Sequence, residues 1–391
     1  TLQADYDTAE QNLRESLAVR RELSGDISPE VAESTTRLAD VLQSKGDYDG
    51  ARALIIEALG IRRQLFESPH EEIATSLEDL GLNYFDQGQY DMAVQVLRDA
   101  VRMRRELHGD AHPALATALN NLAFALEDVD AMDEAEALYE EALDMKRKLL
   151  GNRHPEIASG LNNIAGIYEL RGDLEAAASA YRQALSIHRE NFGAAHPEIA
   201  LTLSNLAFTM YSGDRIEEAI DLARQSFAMR RDLLGEDHPA TAATATNLGY
   251  WLVGEGEYDE AEQLLIAGLE ARRKSLGVDH PQTAGTMSVL ASLYIETGEF
   301  ERALELGAGA REILAQNLPA GHWRLAAAQL YEGLALAGLG EFEEAEPLLL
   351  ASVEGLDASP IPGLAEKARQ GLTALYVNSG RPELAAASER L

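Results

Sequence analysis

Three kinds of side chain recur in this sequence at a fixed spacing, and each could do chemistry. Histidine stands at His70, His112, His154, His196, His238, His280 and His322, each 42 residues after the one before (112 − 70 = 42). Imidazole binds metals and moves protons near neutral pH. Equivalent residues in stacked helical units, however, lie roughly 8–10 Å apart, whereas zinc needs ligands converging to about 2 Å. The ladder therefore predicts residues that start helices, where imidazole or backbone satisfies the free N–H groups of the first turn. His108 and His112 form one local pair, which reads as incidental. Asparagine recurs at Asn121, Asn163, Asn205 and Asn247, with Asp79 and Val289 in the flanking places. It is a poor residue inside a helix, so its return asks for a reason. An amide both donates and accepts; the plainest role is a hydrogen bond between neighbouring helices. Basic pairs recur as Arg20-Arg21, Arg62-Arg63, Arg104-Arg105, Lys146-Arg147, Arg230-Arg231 and Arg272-Arg273. They fall in last turns of helices whose first turns carry acids such as Asp133-Glu134, Glu217-Glu218 and Asp259-Glu260, which complements the helix dipole at both ends. A stripe for an acidic partner is the alternative.

Signatures of bond-making chemistry are missing. There is no Gly-x-x-x-x-Gly-Lys-Ser/Thr loop to cradle phosphate and no Gly-x-Ser-x-Gly elbow. His70-Glu71-Glu72-Ile73-Ala74 lacks the second histidine of a zinc-protease helix. The expectation is a protein that is not an enzyme, with no cofactor and no metal.

The elements that position these residues follow from the same period. After His112, Pro113 suits the first turn of a helix, where its missing N–H costs nothing, and it keeps His112 extended. Leu115, Leu119, Leu122, Ala123 and Leu126 then form one apolar stripe at helical spacing. The helix breaks at Asp130, where other units carry Gly46, Gly88, Gly172, Gly256, Gly298 and Gly340. Glycine ends a helix by taking the left-handed conformation. Five residues later alanine is unbroken, from Ala51 and Ala93 through Ala135, Ala177, Ala219, Ala261 and Ala303 to Ala345. A small residue at every such place means two helices approach closely there. A second amphipathic helix follows, about Asp133 to Leu150, closed by Gly151. The unit is a helical hairpin. A period of this size is the mark of a solenoid, in which each unit packs on its neighbours.

The totals bound the partners. With 33 basic and 66 acidic residues the net charge is −33, and such a surface repels phosphate backbones and anionic lipid. No nucleic acid or membrane partner is expected. No apolar run approaches the roughly 20 residues of a membrane span, and no signal peptide is visible. The expected location is cytoplasmic. There are no cysteines, which excludes disulfides and thiolate metal sites.

Leu77-x-x-Leu80-Gly81-x-x-Tyr84 with Ala93, and Leu161-x-x-Ile164-Ala165-x-x-Tyr168 with Ala177 and Tyr181, resemble the tetratricopeptide repeat. The longer unit, with its connector Leu150-Gly151-Asn152-Arg153-His154-Pro155, looks like the kinesin light chain type. HEAT-type arrays share the period but lack the Gly-x-aromatic-x-x-Ala turn. The resemblance implies an all-α, right-handed superhelical solenoid whose first helices line a concave groove. The family's peptide-clamping asparagines match Asn121, Asn163, Asn205 and Asn247. Beside them Phe85, Phe124, Phe208, Tyr211 and Tyr250 are expected to present aromatic surface. Glu127 and Glu169, with Glu78, Asp79, Asp86 and Asp128, would make the first half acidic. Kinesin light chain grooves carry basic residues for acidic cargo; here Arg and Lys are missing from those inward places. The expected ligand is a peptide or helical segment with apolar anchors and basic flanks.

The expected organisation is one solenoid over 1–391: an unpaired second helix in 1–25, about eight repeats over 26–357, and degenerate capping helices in 358–391. Trp323 replaces proline after His322, Glu332 takes an apolar place, and Pro347 should interrupt or kink its helix. The first residue is Thr1 rather than Met, so a longer parent chain is expected. The run Gly338-Leu339-Gly340-Glu341-Phe342-Glu343-Glu344-Ala345-Glu346-Pro347 looks like repeat regions attached to bacterial serine/threonine protein kinases. That makes a regulatory arm of a larger signalling enzyme the second reading. Self-association through the N-terminal half repeat, as a scaffold, is the third.

Overall fold

The computed structural model describes residues 2–319, 321–357, 359, 361 and 363–388. Thr1, Ala320, Ala358, Pro360, Pro362 and 389–391 lie outside the described residues, and with them the two prolines at the expected slip of the period and the end of the last expected helix. The described residues form nineteen α-helices and no strand. None of these helices is long and apolar enough to cross a membrane. The chain divides into two compact units, 1–191 and 192–391.

The first unit contains α1 (Leu2–Ser24), α2 (Pro29–Ser44), α3 (Tyr48–Leu65), α4 (Glu71–Asp86), α5 (Tyr90–His108), α6 (Pro113–Glu127), α7 (Met132–Leu150) and α8 (Pro155–Leu170); α9 (Leu174–Phe192) runs up to the boundary. The second contains α10 (Pro197–Ser212), α11 (Ile216–Leu234), α12 (Pro239–Gly254), α13 (Tyr258–Leu276), α14 (Pro281–Glu296), α15 (Phe300–Asn317), α16 (Trp323–Leu339), α17 (Phe342–Gly355), α18 (Leu364–Asn378) and α19 (Pro382–Ser388). Successive helices pair as hairpins, and first helices of neighbouring hairpins touch, α4 with α6 in the first unit and α12, α14, α16 and α18 in the second. The fold is the expected all-α solenoid of antiparallel hairpins.

Local chemistry sets each helix start. Every histidine of the ladder is an N-cap. The ring Nδ1 accepts from the backbone N–H two residues on, at 3.2 Å for His70, His112, His154 and His196 and 3.1 Å for His238, His280 and His322. One orphan donor of the first turn is thereby satisfied. The expectation that His108 is incidental is corrected. Its ring stacks on His112 at 3.7 Å, as Phe66 stacks on His70 and Phe192 on His196, both at 3.8 Å. The residue four before each of these caps is a plate that holds the imidazole.

The hairpin turn needs a left-handed residue. Gly88 takes φ 70°, and where glycine is replaced Asp130 and Asp214 still take φ 57° and 59°. The stripe Leu115, Leu119, Leu122, Ala123 and Leu126 is buried, and the eight recurring alanines have no exposed surface at all. Opposite them the first helix is also small. A Cβ on Gly81 would sit 2.5 Å from Leu97 Cγ, one on Gly249 2.7 Å from Leu265 Cγ, and one on Gly333 2.9 Å from Leu349 Cγ. Helices this close exclude water along the whole contact, and apolar area buried there contributes about 25 cal/mol per Å².

Two late irregularities resolve. Glu332 is buried in its apolar place, and Arg311 of α15 pairs with both of its carboxylate oxygens. Gly307 makes the room: a Cβ there would lie 3.0 Å from Glu332 N. Pro347 does not interrupt its helix; α17 runs through it from Phe342 to Gly355.

Candidate functional site

The faces that first helices turn away from their own partners carry the four recurring asparagines. In the first unit Asn121 on α6 is half-buried and Asn163 on α8 is exposed; in the second Asn205 on α10 is half-buried and Asn247 on α12 is exposed. Among the described residues none of these four side-chain amides has a hydrogen-bond partner. The alternative of a bond between neighbouring first helices is therefore not what the geometry holds.

In the first unit Phe124, one turn after Asn121, is 45% exposed, and Phe85 of α4 packs on it with ring centroids 4.5 Å apart. The acidic residues divide. Glu127 accepts from the Tyr139 hydroxyl at 2.6 Å and Glu169 from the Tyr181 hydroxyl at 3.0 Å. Burial, then the neighbouring carboxylate, pushes the Tyr139 phenol far above its usual range, and Tyr181 likewise. One carboxylate oxygen of each pair is thus turned into its own hairpin. Glu78 is held by Arg104, with Nε at 2.8 Å and Nη2 at 3.2 Å. Asp79, in the place of the asparagines, is the most perturbed. Burial, with Asp40 as a like-charged neighbour, raises it to about 6. Burial raises Asp128 as well.

In the second unit Phe208, Tyr211, Asn247 and Tyr250 come together around one cavity of about 330 Å³. Asn205 is not among the residues that line it. Tyr211 stacks on Trp251 at 4.9 Å and meets Tyr250 edge-on at 6.2 Å. The sequence reading missed Trp251, Trp323, Tyr331, Arg272 and Arg324, all on the cavity wall. Its expectation of an inward surface without Arg or Lys does not extend to this cavity.

The basic pairs explain the omission. The first member of each pair is buried in five of them and does more than face a helix end. Arg62 meets Glu72 at 3.2 Å and Ser76 at 2.5 Å; Lys146 meets Glu156 at 3.2 Å; Arg230 meets Ala240 O at 3.0 Å and Thr244 at 2.6 Å. These three cations each stitch a second helix to the first helix of the next hairpin, whereas Arg104 reaches back to Glu78 on the first helix of its own hairpin. The second member is the exposed one, as at Arg105 and Arg231. A signal was present in the sequence: the place ten residues after the buried cation holds Glu72 and Glu156 but Gln282 after Arg272.

Comparison with known proteins gives the family. Tetratricopeptide-repeat models match residues 30–106, 72–148, 114–190, 156–232, 198–266 and 241–316, and a second such model matches residues 1–30. Among solved structures the chain is similar to BtubC (BKLC) from P. vanneervenii, at 23% identity over 59% of this chain and 92% of that one, TM-score 0.52. It is similar to the apo form of the quorum sensor NprR from B. thuringiensis, at 17% identity over 91% and 100%, TM-score 0.57. It is also similar to a Podosopora anserina putative kinesin light chain with nearly identical TPR-like repeats, at 23% identity over 52% and 96%, TM-score 0.46. None of the curated protein sequences compared matches it.

Proposed function

We propose that this chain, which belongs to the tetratricopeptide-repeat family, is a protein-interaction module that binds extended peptide on the exposed faces of its first helices. The observation that carries this reading is the set of four unpartnered amides, at equivalent places on α6, α8, α10 and α12. An unpaired amide can donate to a peptide carbonyl and accept from a peptide N–H at once. Exposed aromatics stand beside them: Phe124 in the first unit, and Phe208, which is 42% exposed, in the second. Large exposed apolar side chains next to polar anchors are what a recognition surface offers. In the first unit Asp79 and Asp128 add carboxylates that burial leaves short of solvation, and a cationic side chain on the ligand would relieve them.

The test is a peptide-display selection on the intact chain, followed by titration of the selected peptides. Each amide bond to peptide is worth about 0.5–1.5 kcal/mol net. The Asn121→Ala/Asn163→Ala double variant, with both changes in the first unit, should therefore bind roughly tenfold more weakly with unchanged circular dichroism. Equal affinity for variant and native chain would reject the assignment.

A further inference from the structure

The cavity of the second unit has a charge that the rest of the chain does not. Acids outnumber basic residues by 66 to 33 along the sequence, yet among the described residues no Asp or Glu lines this cavity while Arg272 and Arg324 do. Arg272, from α13, is only 8% exposed. Its Nη1 donates to Gln282 O at 2.6 Å and to Thr286 Oγ1 at 2.9 Å. Its Nε is buried with no partner, and its Nη2 has no acceptor among the described residues. At the same place in earlier hairpins Arg62, Arg104 and Lys146 are each held by a carboxylate. Arg230 also lacks one among the described residues, but it does not line the cavity. Arg324 completes the contrast. It stands at the position where Glu72 and Glu156 stand in earlier hairpins, so a cation replaces the acid. It lies 5.3 Å over the Trp323 ring and has no carboxylate partner among the described residues.

A buried guanidinium without an anion is unfavourable, because Arg272 loses hydration there and the second cation, Arg324, repels it. Burial, then Arg324, pulls Arg272 down to about 10. A bound anion removes both costs, and guanidinium pairs carboxylate with matched geometry. Six aromatic side chains, among them Phe208, Tyr250 and Trp323, share the wall with small, polar and aliphatic residues, and at about 330 Å³ the space is that of a small-ligand pocket.

We propose that this cavity takes a carboxylate carried on a bulky apolar group, the carboxylate on Arg272 and Arg324 and the apolar group against Phe208, Tyr250 and Trp323. The proposal rests on the reading of the first-helix faces as peptide-binding and names the chemistry of one subsite. A C-terminal residue with a large side chain has this form, since its main-chain carboxylate and side chain leave the same carbon. An acidic side chain beside an apolar one is the other source.

The chain has two tryptophans, and both Trp251 and Trp323 line the cavity, so intrinsic fluorescence reads it directly. Three probes are titrated into the intact chain: N-acetyl-leucyl-phenylalanine, the same dipeptide as its C-terminal amide, and N-acetyl-glutamyl-phenylalanine amide. The free acid should give a saturable change, with the leucyl amide at least about tenfold weaker. A response to the glutamyl amide equal to that of the free acid would assign a side-chain carboxylate as ligand; a response only to the free acid assigns the C-terminus. Arg324→Gln, at an exposed residue, should reduce the acid to the level of the leucyl amide. Gly285→Leu should abolish binding of both while the helix persists, because a Cβ at Gly285 meets nothing within 4 Å and faces the cavity. Equal binding of acid and leucyl amide, no response to any probe up to about 10 mM, or an Arg324→Gln variant that binds the acid normally would each overturn the proposal. The asparagine variants measured on selected peptides report separately. Loss of the acid–amide difference alone leaves the peptide reading standing.

Discussion

An imidazole nitrogen and a carboxylate illustrate how one residue's surroundings set its task. The seven ladder histidines are acceptors at helix starts, which uses the ring nitrogen that a metal would otherwise take. Asp79 sits among residues that deny it water, beside Asp40, and it titrates near 6. Its folded-state value is above the unfolded one of about 3.9. The protonated form is therefore the one the fold prefers. Its contribution is fully present below about pH 3.9 and is lost as pH rises through about 6. At neutral pH the ionised Asp79 is a liability. Asp79→Asn should raise the urea midpoint at pH 7, and the gain should shrink steadily as pH falls toward about 4. A gain that is the same at both pH values would show that Asp79 is as well solvated in the fold as in the unfolded chain.

At the scale of the hairpin, the close approach of two helices decides which glycines are structural. Gly81 and Gly166 are both helical glycines of the first unit. A Cβ on Gly81 would collide with Leu97 Cγ at 2.5 Å and Cδ2 at 2.8 Å, whereas one on Gly166 meets nothing within 4 Å. Alanine gains about 1 kcal/mol of helix propensity over glycine at either place. At Gly81 overpacking costs about 1–3 kcal/mol and wins. Gly81→Ala should lower the denaturation midpoint, and Gly166→Ala should raise it. The same sign for both would mean that Leu97 repacks freely and that the contact does not fix the spacing of α4 and α5.

For the molecule as a whole, charge opposes compactness. Surface ion pairs tie neighbouring second helices within each unit, such as Arg98 to Glu134 at 2.7 Å and Arg224 to Glu260 at 2.7 Å. Each exposed pair contributes about 0–1 kcal/mol, and salt weakens it. A net charge of −33 repels itself throughout, and salt screens that too. The excess acts over the whole surface while each exposed pair is individually weak, so repulsion should dominate. Raising sodium chloride from about 20 to about 200 mM, which shortens the screening length to below about 10 Å, should raise the melting temperature. A fall would show that the pairs outweigh the net charge.

Periodicity determined most of the fold. A 42-residue recurrence of His-Pro, glycine and alanine specifies where each helix starts, where it stops and where two helices touch. Those are local events: an N-cap reaches two residues and a turn glycine needs only its own φ. The four amides could be picked out for the same reason, since they share one register. Tertiary structure decided what depends on residues distant in sequence. It showed that those amides have no partner among the described residues, that Glu127 and Glu169 bond tyrosines of their own hairpins, and that His108 serves as a plate for His112. It also brought Arg272 from a second helix and Arg324 from three helices later to one cavity rich in aromatics. A repeat predicts what its columns share, because the same contact returns each time. A site made by departures from several columns depends on which departures meet in space, and packing alone settles that.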